Sequence, residues 1–565
     1  MKNIKNIIKK SVLIMAMTAG GFAFTSCDDL LDTKPQGVFT SAQIGDDEAI
    51  DMMTSAYATL LCHYFGNNES FAGPINNWVF DIRSDDAQKG GGELGYEVYM
   101  HEFSIGNVQS DNPILDFKWR NNYFSIARCN TAIRALKSAG NLSEENRKAY
   151  VAEMKTLRAY YYFDMLRIFK MFPYFTEETT DPSSVRADEY SRDQIAGFIK
   201  TDLEEAFKDN VEKQSDPGRF NKYVAAAILA RVALFTHDYA TAEKYADEVI
   251  KSGQYQLYPN FLDMSKPEMN NQYESVMAVQ FSSANSPDQF NFNNCLNCTV
   301  SEGDVYGNGD DFYTGSQDLV NAFRTDESGL PYLDPANAPS ANLDRADYPG
   351  NVDPRVDFTF GRIGMPWRGY QYNEKWCRNL NNYSQYSGKK PYPSPDSPYV
   401  TVGIVPWGAS SLNYIIIRYA DVLLMKAEAL IEQNKDLNEA RNLINQIRAK
   451  ANRSVDPSYT PVDVNPMVAT YLVREYGAQG WSQDYARKAV RMERRLELAM
   501  EGLRWFDLVR WGDVVNTVNA YYNKEKNLFH YLDNAHLSED NVYCPIPLGQ
   551  VDNAGDLYKS FTTNK

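Results

Sequence analysis

The chain of 565 residues is poor in histidine and cysteine and has no block of positive charge beyond its first ten residues. The five histidines (His63, His101, His237, His530 and His536) show no HExxH or other paired spacing, so a zincin-type site is excluded. Of the seven cysteines, only Cys295 and Cys298 form a CxxC. No second CxxC or neighbouring histidine completes a zinc set, which leaves a local disulfide or two thiols as the reading. There is no G-x-S-x-G elbow and no P-loop, which removes two large enzyme classes. The 57 basic residues face 74 acidic ones, a net charge of −17. Phosphate backbones need clustered Lys and Arg, so nucleic acid is excluded as a partner. No run of about 20 apolar residues is present to span a bilayer as a helix.

What the N-terminus does have is a basic start (Lys2, Lys5, Lys9, Lys10), an apolar run from Val12 to Phe24, and then Thr25-Ser26-Cys27. That order is the pattern of a secretory signal. A Cys at the cut makes it a lipoprotein signal, with acyl chains on Cys27 after removal of residues 1–26. Three such chains, at about 0.8 kcal/mol per buried CH₂, anchor a protein durably without a transmembrane helix. Residues 27–45 then serve as a tether outside the cytoplasm.

The rest reads as a mainly α chain with one large interruption. Apolar periodicity predicts helices near 46–62, 119–138, 144–170, 191–208, 220–236 and 240–252, then 414–433, 436–450, 484–500 and 503–511. Small residues at contact positions (Ala230, Ala242, Ala246; Ala427, Ala429, Ala440) let helices pack closely, as in tetratricopeptide-like pairs. Residues 254–413 are rich in Gly, Asn, Asp, Ser and Pro, with only short β-prone runs such as 275–281. Irregular stretches of that length are usually functional. The expectation is a repeat-like scaffold built from 46–253 and 414–565, packed as one unit under a loop-rich insertion at 254–413.

Several strings in order resemble the SusD/RagB family of Bacteroidetes surface lipoproteins. They are Cys27-Asp28-Asp29-Leu30-Leu31-Asp32, Ser84-Asp85-Asp86-Ala87, Leu157-Arg158-Ala159-Tyr160, Asp353-Pro354-Arg355, Ile417-Arg418-Tyr419-Ala420-Asp421, and Glu501-Gly502-Leu503-Arg504-Trp505-Phe506-Asp507. The resemblance implies a SusD-like fold and a non-catalytic, outer-membrane lipoprotein facing the cell exterior. It implies capture of an oligosaccharide or polysaccharide and delivery to a SusC-like TonB-dependent transporter, which the protein caps as a lid. It implies no cofactor. The same architecture binding peptides or another nutrient is an alternative, and a surface glycosidase is a weaker one. The acids and arginines of these strings read as structural ion pairs. Glu497, Glu501, Arg494 and Arg504 recur at the spacing that brings side chains together on one helix face. No motif singles out two carboxylates for glycosidase chemistry.

Sugar sites place flat aromatic faces beside polar groups that orient hydroxyls. Three aromatic groups outside the helices are candidates on that ground: Trp78 with Asp81, Arg83 and Asp85; Tyr306 with Tyr313; and Trp367, Arg368, Tyr370, Tyr372, Trp376 and Trp407. Trp367-Arg368-Gly369-Tyr370 is the strongest, with a tight turn, stacking faces and a guanidinium fork. Asp304, Asn308 and Asp310 form an acidic, Gly-spaced loop that is a weak calcium candidate, but the spacing is not that of an EF-hand.

Overall fold

A computed structural model describes residues 45–61, 77–282, 299, 309–344, 346–401, 409–456 and 463–558. Cys27, Cys295, Cys298, Asp304, Tyr306, Asn308 and Trp407 lie outside these residues.

Local chemistry starts and stops the scaffold helices. Helix α1 is Asp46–Tyr57, with three acids in its first turn, where the helix dipole favours negative charge. Helix α2, Pro113–Ser138, starts six residues before its expected bound because Asn112 caps it and Pro113 fills the first helical position. Then follow α3 (Glu144–Ile168), α4 (Arg192–Asp209), α5 (Lys222–Phe235) and α6 (Tyr239–Lys251). Ser191 and Gln194 form a reciprocal capping box on α4. Each helix packs on the next, and α6 packs on α7 (Tyr419–Glu432), so the array continues across the insertion. Ala225, Ala226, Ala230, Ala242 and Ala246 are fully buried, which allows the close approach of α5 and α6. Helix α8 (Leu437–Arg453) and α9 (Gln483–Glu497) complete a core with α7 around Leu424, Ala427, Ile444 and Val490. The short α10 (Arg504–Arg510) and α11 (Val514–Glu525) follow, the second unforeseen from sequence. Among the described residues no helix is long and apolar enough to cross a membrane.

The expected helix over 414–433 is two elements. Tyr414–Arg418 is a strand that pairs antiparallel with Ser275–Val279, and the helix begins only at Tyr419. Three successive isoleucines, stiff at χ1, favour the pleated strand. In order, the strands used below are β1 (Ala87–Gly90), β2 (Ser275–Val279), β3 (Phe312–Gly315) and β4 (Tyr414–Arg418). The β2–β4 pair joins the start of the insertion to its end.

Helix α9 also stops short of its expected bound. It ends at Glu497, and the chain turns through Met500 (φ 61°) and Gly502 (φ 73°). Glu497 and Glu501 therefore pair away from Arg494 and Arg504. Glu497 accepts from Arg418, Lys450 and Arg355, and Glu501 accepts from Arg418 and Lys390. Arg494 reaches Asp421 and Asp507, and Arg504 reaches Asp85.

Candidate ligand-binding site

The aromatic cluster favoured by sequence is core. Trp367 is fully buried, with its ring stacked on Tyr372 at 5.4 Å and 15° and tilted against Trp376 at 5.6 Å. Arg368 (φ 48°) and Gly369 (φ 92°) form the two-residue turn between Pro366–Trp367 and Tyr370–Gln371. Positive φ at both positions is what a tight hairpin of this hand requires. The Arg368 side chain then folds inward, with ion pairing to Asp463 and a hydrogen bond to the Lys389 carbonyl at 3.1 Å. An irregular layer has no long helix to bury, so it builds its core from stacked rings. Among the described rings of this cluster only Tyr370 stands exposed, donating to Asp396 at 3.0 Å.

The acidic-aromatic group around Trp78 is also turned inward. Asp81 accepts from the Tyr313 hydroxyl (2.6 Å) and from the backbone N–H groups of Gly502 (2.8 Å) and Arg504 (3.0 Å). Burial pushes its carboxyl up to about 7. Arg83 lies 4.0 Å over the ring of Trp505 and donates to the Asn541 carbonyl. Asp85 takes both prongs of Arg504 at 2.8 Å. These three tie the segment around Trp78 to the C-terminal helices, and Asp81 also ties it to Tyr313 of the insertion. Trp78 and Tyr313, 5.4 Å apart, line a cavity of about 70 Å³ with Met264, Lys390, Tyr414 and Arg418. Ligand pockets run to roughly 300–1,000 Å³, so this cavity has no room for a sugar ring. Asp310, the described member of the calcium candidate, is ion-paired to Arg378.

A different set of residues makes an open aromatic surface. Strand β1 pairs with β3 (Ala87 opposite Gly315, Gly90 opposite Phe312), and the chain then turns over Phe312. Gly90 and Gly91 have φ of 68° and 75°, and a Cβ on Gly91 would sit 2.3 Å from the Phe312 ring. Only glycine permits that turn at that distance. The turn lays Tyr96 on Phe312, centroids 5.7 Å apart and rings at 12°. Phe312 is buried while Tyr96 keeps 39% of its surface, and Tyr99 keeps 40%. The guanidinium of Arg378 lies 5.0 Å from the Tyr96 ring centre.

The surface is braced from below. Lys89 donates to the carbonyls of Glu93 (3.2 Å) and Tyr96, and burial lowers its pKa to about 8. Asn379 donates to the Gly92 carbonyl at 3.1 Å, and Asn382 to Glu93 at 3.2 Å. The Arg378 side chain is held by Asp310, and its backbone N–H donates to Asp311 at 3.0 Å. Asp311, bonded also by Ser387 at 2.6 Å, is raised to about 7 by burial. The result is exposed tyrosine and guanidinium over a fixed base, with carboxamides beside them. Sequence reasoning missed Tyr96, Tyr99 and Arg378. The signal that marks them is a Gly90-Gly91-Gly92 turn directly ahead of two tyrosines.

A family profile described as "SusD family" matches residues 273–561, and one described as "Starch-binding associating with outer membrane" matches residues 91–234. A SusD-like protein of Bacteroides ovatus is 26% identical over 531 residues, covering 89% of this chain and 83% of its own. SusD-like protein P38 of Formosa agariphila is 25% identical over 573 residues, covering 96% of this chain and 100% of its own. Surface glycan-binding protein A from Bacteroides thetaiotaomicron, solved with laminarihexaose, has a TM-score of 0.67 at 20% identity. It covers 91% of this chain and 98% of its own. A laminarin-binding SusD-like protein has a TM-score of 0.65 at 22% identity, covering 90% of this chain and 97% of its own. At these identities the structural likeness establishes the fold.

Proposed function

The chain belongs to the SusD family, and from that premise we propose that it captures oligosaccharides at the bacterial surface without catalysis. The observation that carries the reading is the braced Tyr96–Arg378 surface, with exposed Tyr99 three residues along the chain. Tyrosine offers an apolar ring face with a polar tip, and a guanidinium presents donors in a fixed fork to hydroxyl oxygens. The relatives described with laminarin and laminarihexaose supply the first ligand class to test. The acids of the family-like strings support a non-catalytic role, since Asp85, Asp421, Glu497, Glu501 and Asp507 are all engaged by buried cations. Delivery to a TonB-dependent outer-membrane transporter, with the protein as its lid, completes the proposal.

The test is calorimetric titration with laminarihexaose, maltohexaose, cellohexaose and xylohexaose. Stacking in nucleic-acid sites is worth about 1–3 kcal/mol per ring, and on that scale Tyr96→Ala weakens binding by about five- to hundredfold. Its melting temperature should match the parent, because the ring is half outside the fold. Unchanged affinity in Tyr96→Ala and in Arg378→Ala moves the site elsewhere. Absence of binding to every glycan in the panel sinks the reading.

Location is tested separately at Cys27. The Cys27→Ala protein should leave the membrane fraction for the soluble one, because nothing else in the mature chain is apolar enough to hold it. Retention of Cys27→Ala in detergent-requiring fractions would disprove the lipid anchor.

A further inference from the structure

A second recess lies at the junction of scaffold and insertion. It has a volume of about 370 Å³, five times that of the Trp78 cavity and within the size range of ligand pockets. Its walls are the α4–α5 connection (213–221), the residues after α6 and Asn271, and its floor is β2. Four consecutive β2 residues, Ser275 to Ala278, line it. Side chains alternate across a strand, so four in a row means that the strand presents its backbone edge. Among the described residues β2 pairs only with β4, on its other side. The recess therefore meets main chain as well as side chains, with the Ala278 carbonyl already accepting from Gln280 at 3.2 Å.

The walls have one chemical character. Gln214, Asn221, Gln254, Asn271 and Gln280 bring five carboxamides to one recess, each with both donor and acceptor atoms. They are held in place by one another and by backbone. Asn271 and Gln280 bond reciprocally at 2.7 and 2.9 Å, and Gln280 also accepts from Asn413 at 2.9 Å. Gln254 and Gln214 spend their amide N–H groups on the Glu212 and Phe220 carbonyls at 3.0 and 2.7 Å. Gly218 (φ 84°) brings the loop so near Gln280 that a Cβ would stand 2.3 Å from its Cγ. Tyr255 adds a half-buried ring, whose hydroxyl accepts from Asn221 at 3.2 Å. Inside, charge is paired: Glu153 takes both prongs of Arg219, whose guanidinium also lies 3.9 Å from Asp216, and Lys213 stands at the exposed rim.

We infer that this recess is a second binding site for a neutral oligosaccharide. Hydroxyls both donate and accept, and carboxamide oxygens held in place by their own amide bonds keep lone pairs to accept from them. A charged ligand finds the Arg219 guanidinium already taken by Glu153. The Tyr255 ring supplies a flat apolar wall, with Phe220 also in the lining. This inference rests on the reading of the protein as an oligosaccharide binder, and its test separates the two.

Hydrogen exchange is followed by mass spectrometry on the mature protein, with and without each of the four hexasaccharides above. Protection is expected in 213–221, 254–256 and 275–280 as well as in 91–99 and 378–382, and in Tyr96→Ala the first set should remain. Tyr255→Ala should weaken binding at the recess by about tenfold and leave the Tyr96 surface unchanged, since a stacked ring plus one hydrogen bond is lost. Should Tyr255→Ala unfold, Gln254→Ala, at an exposed position, should lower recess affinity by about threefold. Protection confined to 91–99 and 378–382 overturns the inference and spares the proposed function. Protection of the recess by a tryptic casein digest and by no glycan makes it a peptide site and overturns it too. Protection nowhere overturns both.

Discussion

Glu497→Ala should destabilise the protein by about 3–5 kcal/mol, the usual cost of stripping one partner from a buried ion pair. The carboxylate is fully buried at the end of α9. It accepts from Lys450 at 2.7 Å, Arg418 at 3.0 Å and Arg355 at 3.1 Å, and these cations hold it well below the usual carboxylate range. Each comes from a different part of the fold: α8, the strand β4 where the chain re-enters the scaffold, and the insertion. Arg418 keeps Glu274 and Glu501, and Arg355 keeps Asp353 and Glu493, so the hub loosens without losing every contact. In a chain of this size the loss corresponds to a fall of about 3–5 °C in melting temperature. Glu497→Gln, which keeps the shape and loses the charge, should fall between parent and Ala variant. As a control, Asp188→Ala removes the exposed pair with Arg186 and should leave the melt unmoved. A Glu497→Ala melt within 2 °C of the parent, by scanning calorimetry, would refute the hub.

The same network marks how far the sequence could be read. That Arg418, Asp421, Glu501 and Asp507 are structural follows from charged residues set among apolar helix positions. Their partners do not follow, because partners are chosen by tertiary approach: Arg504 reaches Asp85 across 419 positions of chain. The helical scaffold was legible because alanines at contact spacing survive in one dimension. The strand Tyr414–Arg418 was not, because its apolar run suits either period and only pairing with Ser275–Val279 decides it.

The proposed ligand surface was the least legible. Aromatic density pointed to residues 365–376, yet dense aromatics are also what an irregular layer needs for a core. Trp367, Tyr372 and Trp376 pack on one another instead. Tyr96 and Tyr99 look ordinary in sequence. Their exposure is set by Gly90 and Gly91 turning over Phe312, a contact made through the distant β3 strand.

Stability should fall as pH rises from about 5.5 to 8.5, and Glu525→Gln should remove part of that fall. Glu525 is fully buried on α11, accepting from the Asp318 backbone N–H at 2.6 Å and from Gln88 at 3.0 Å. Burial, with the nearby charge of Asp318 adding to it, raises its carboxyl to about 8. Asp81 and Asp311 are raised to about 7 by burial as well, and Asp311 lies directly behind Arg378. A carboxyl whose folded pKa exceeds its unfolded value near 4 holds its proton more tightly in the folded state. The folded state then binds more protons than the unfolded one between about pH 4 and 8, so stability declines as pH climbs through the folded value. The depressed acids act at the other end. Glu177, lowered to about 2 chiefly by Arg158, contributes stability above its unfolded pKa that is lost as pH falls through its folded value. A stability maximum near pH 5 is the net expectation. For Glu525 alone the loss between pH 5.5 and 8.5 is on the order of 1–3 kcal/mol. Glutamine carries no such penalty, so Glu525→Gln should melt at or above the parent at pH 8.5, with the shallower pH slope. Thermal melts of both proteins at half-unit intervals decide it. Parallel curves would mean that Glu525 ionises no less easily in the fold than in the open chain.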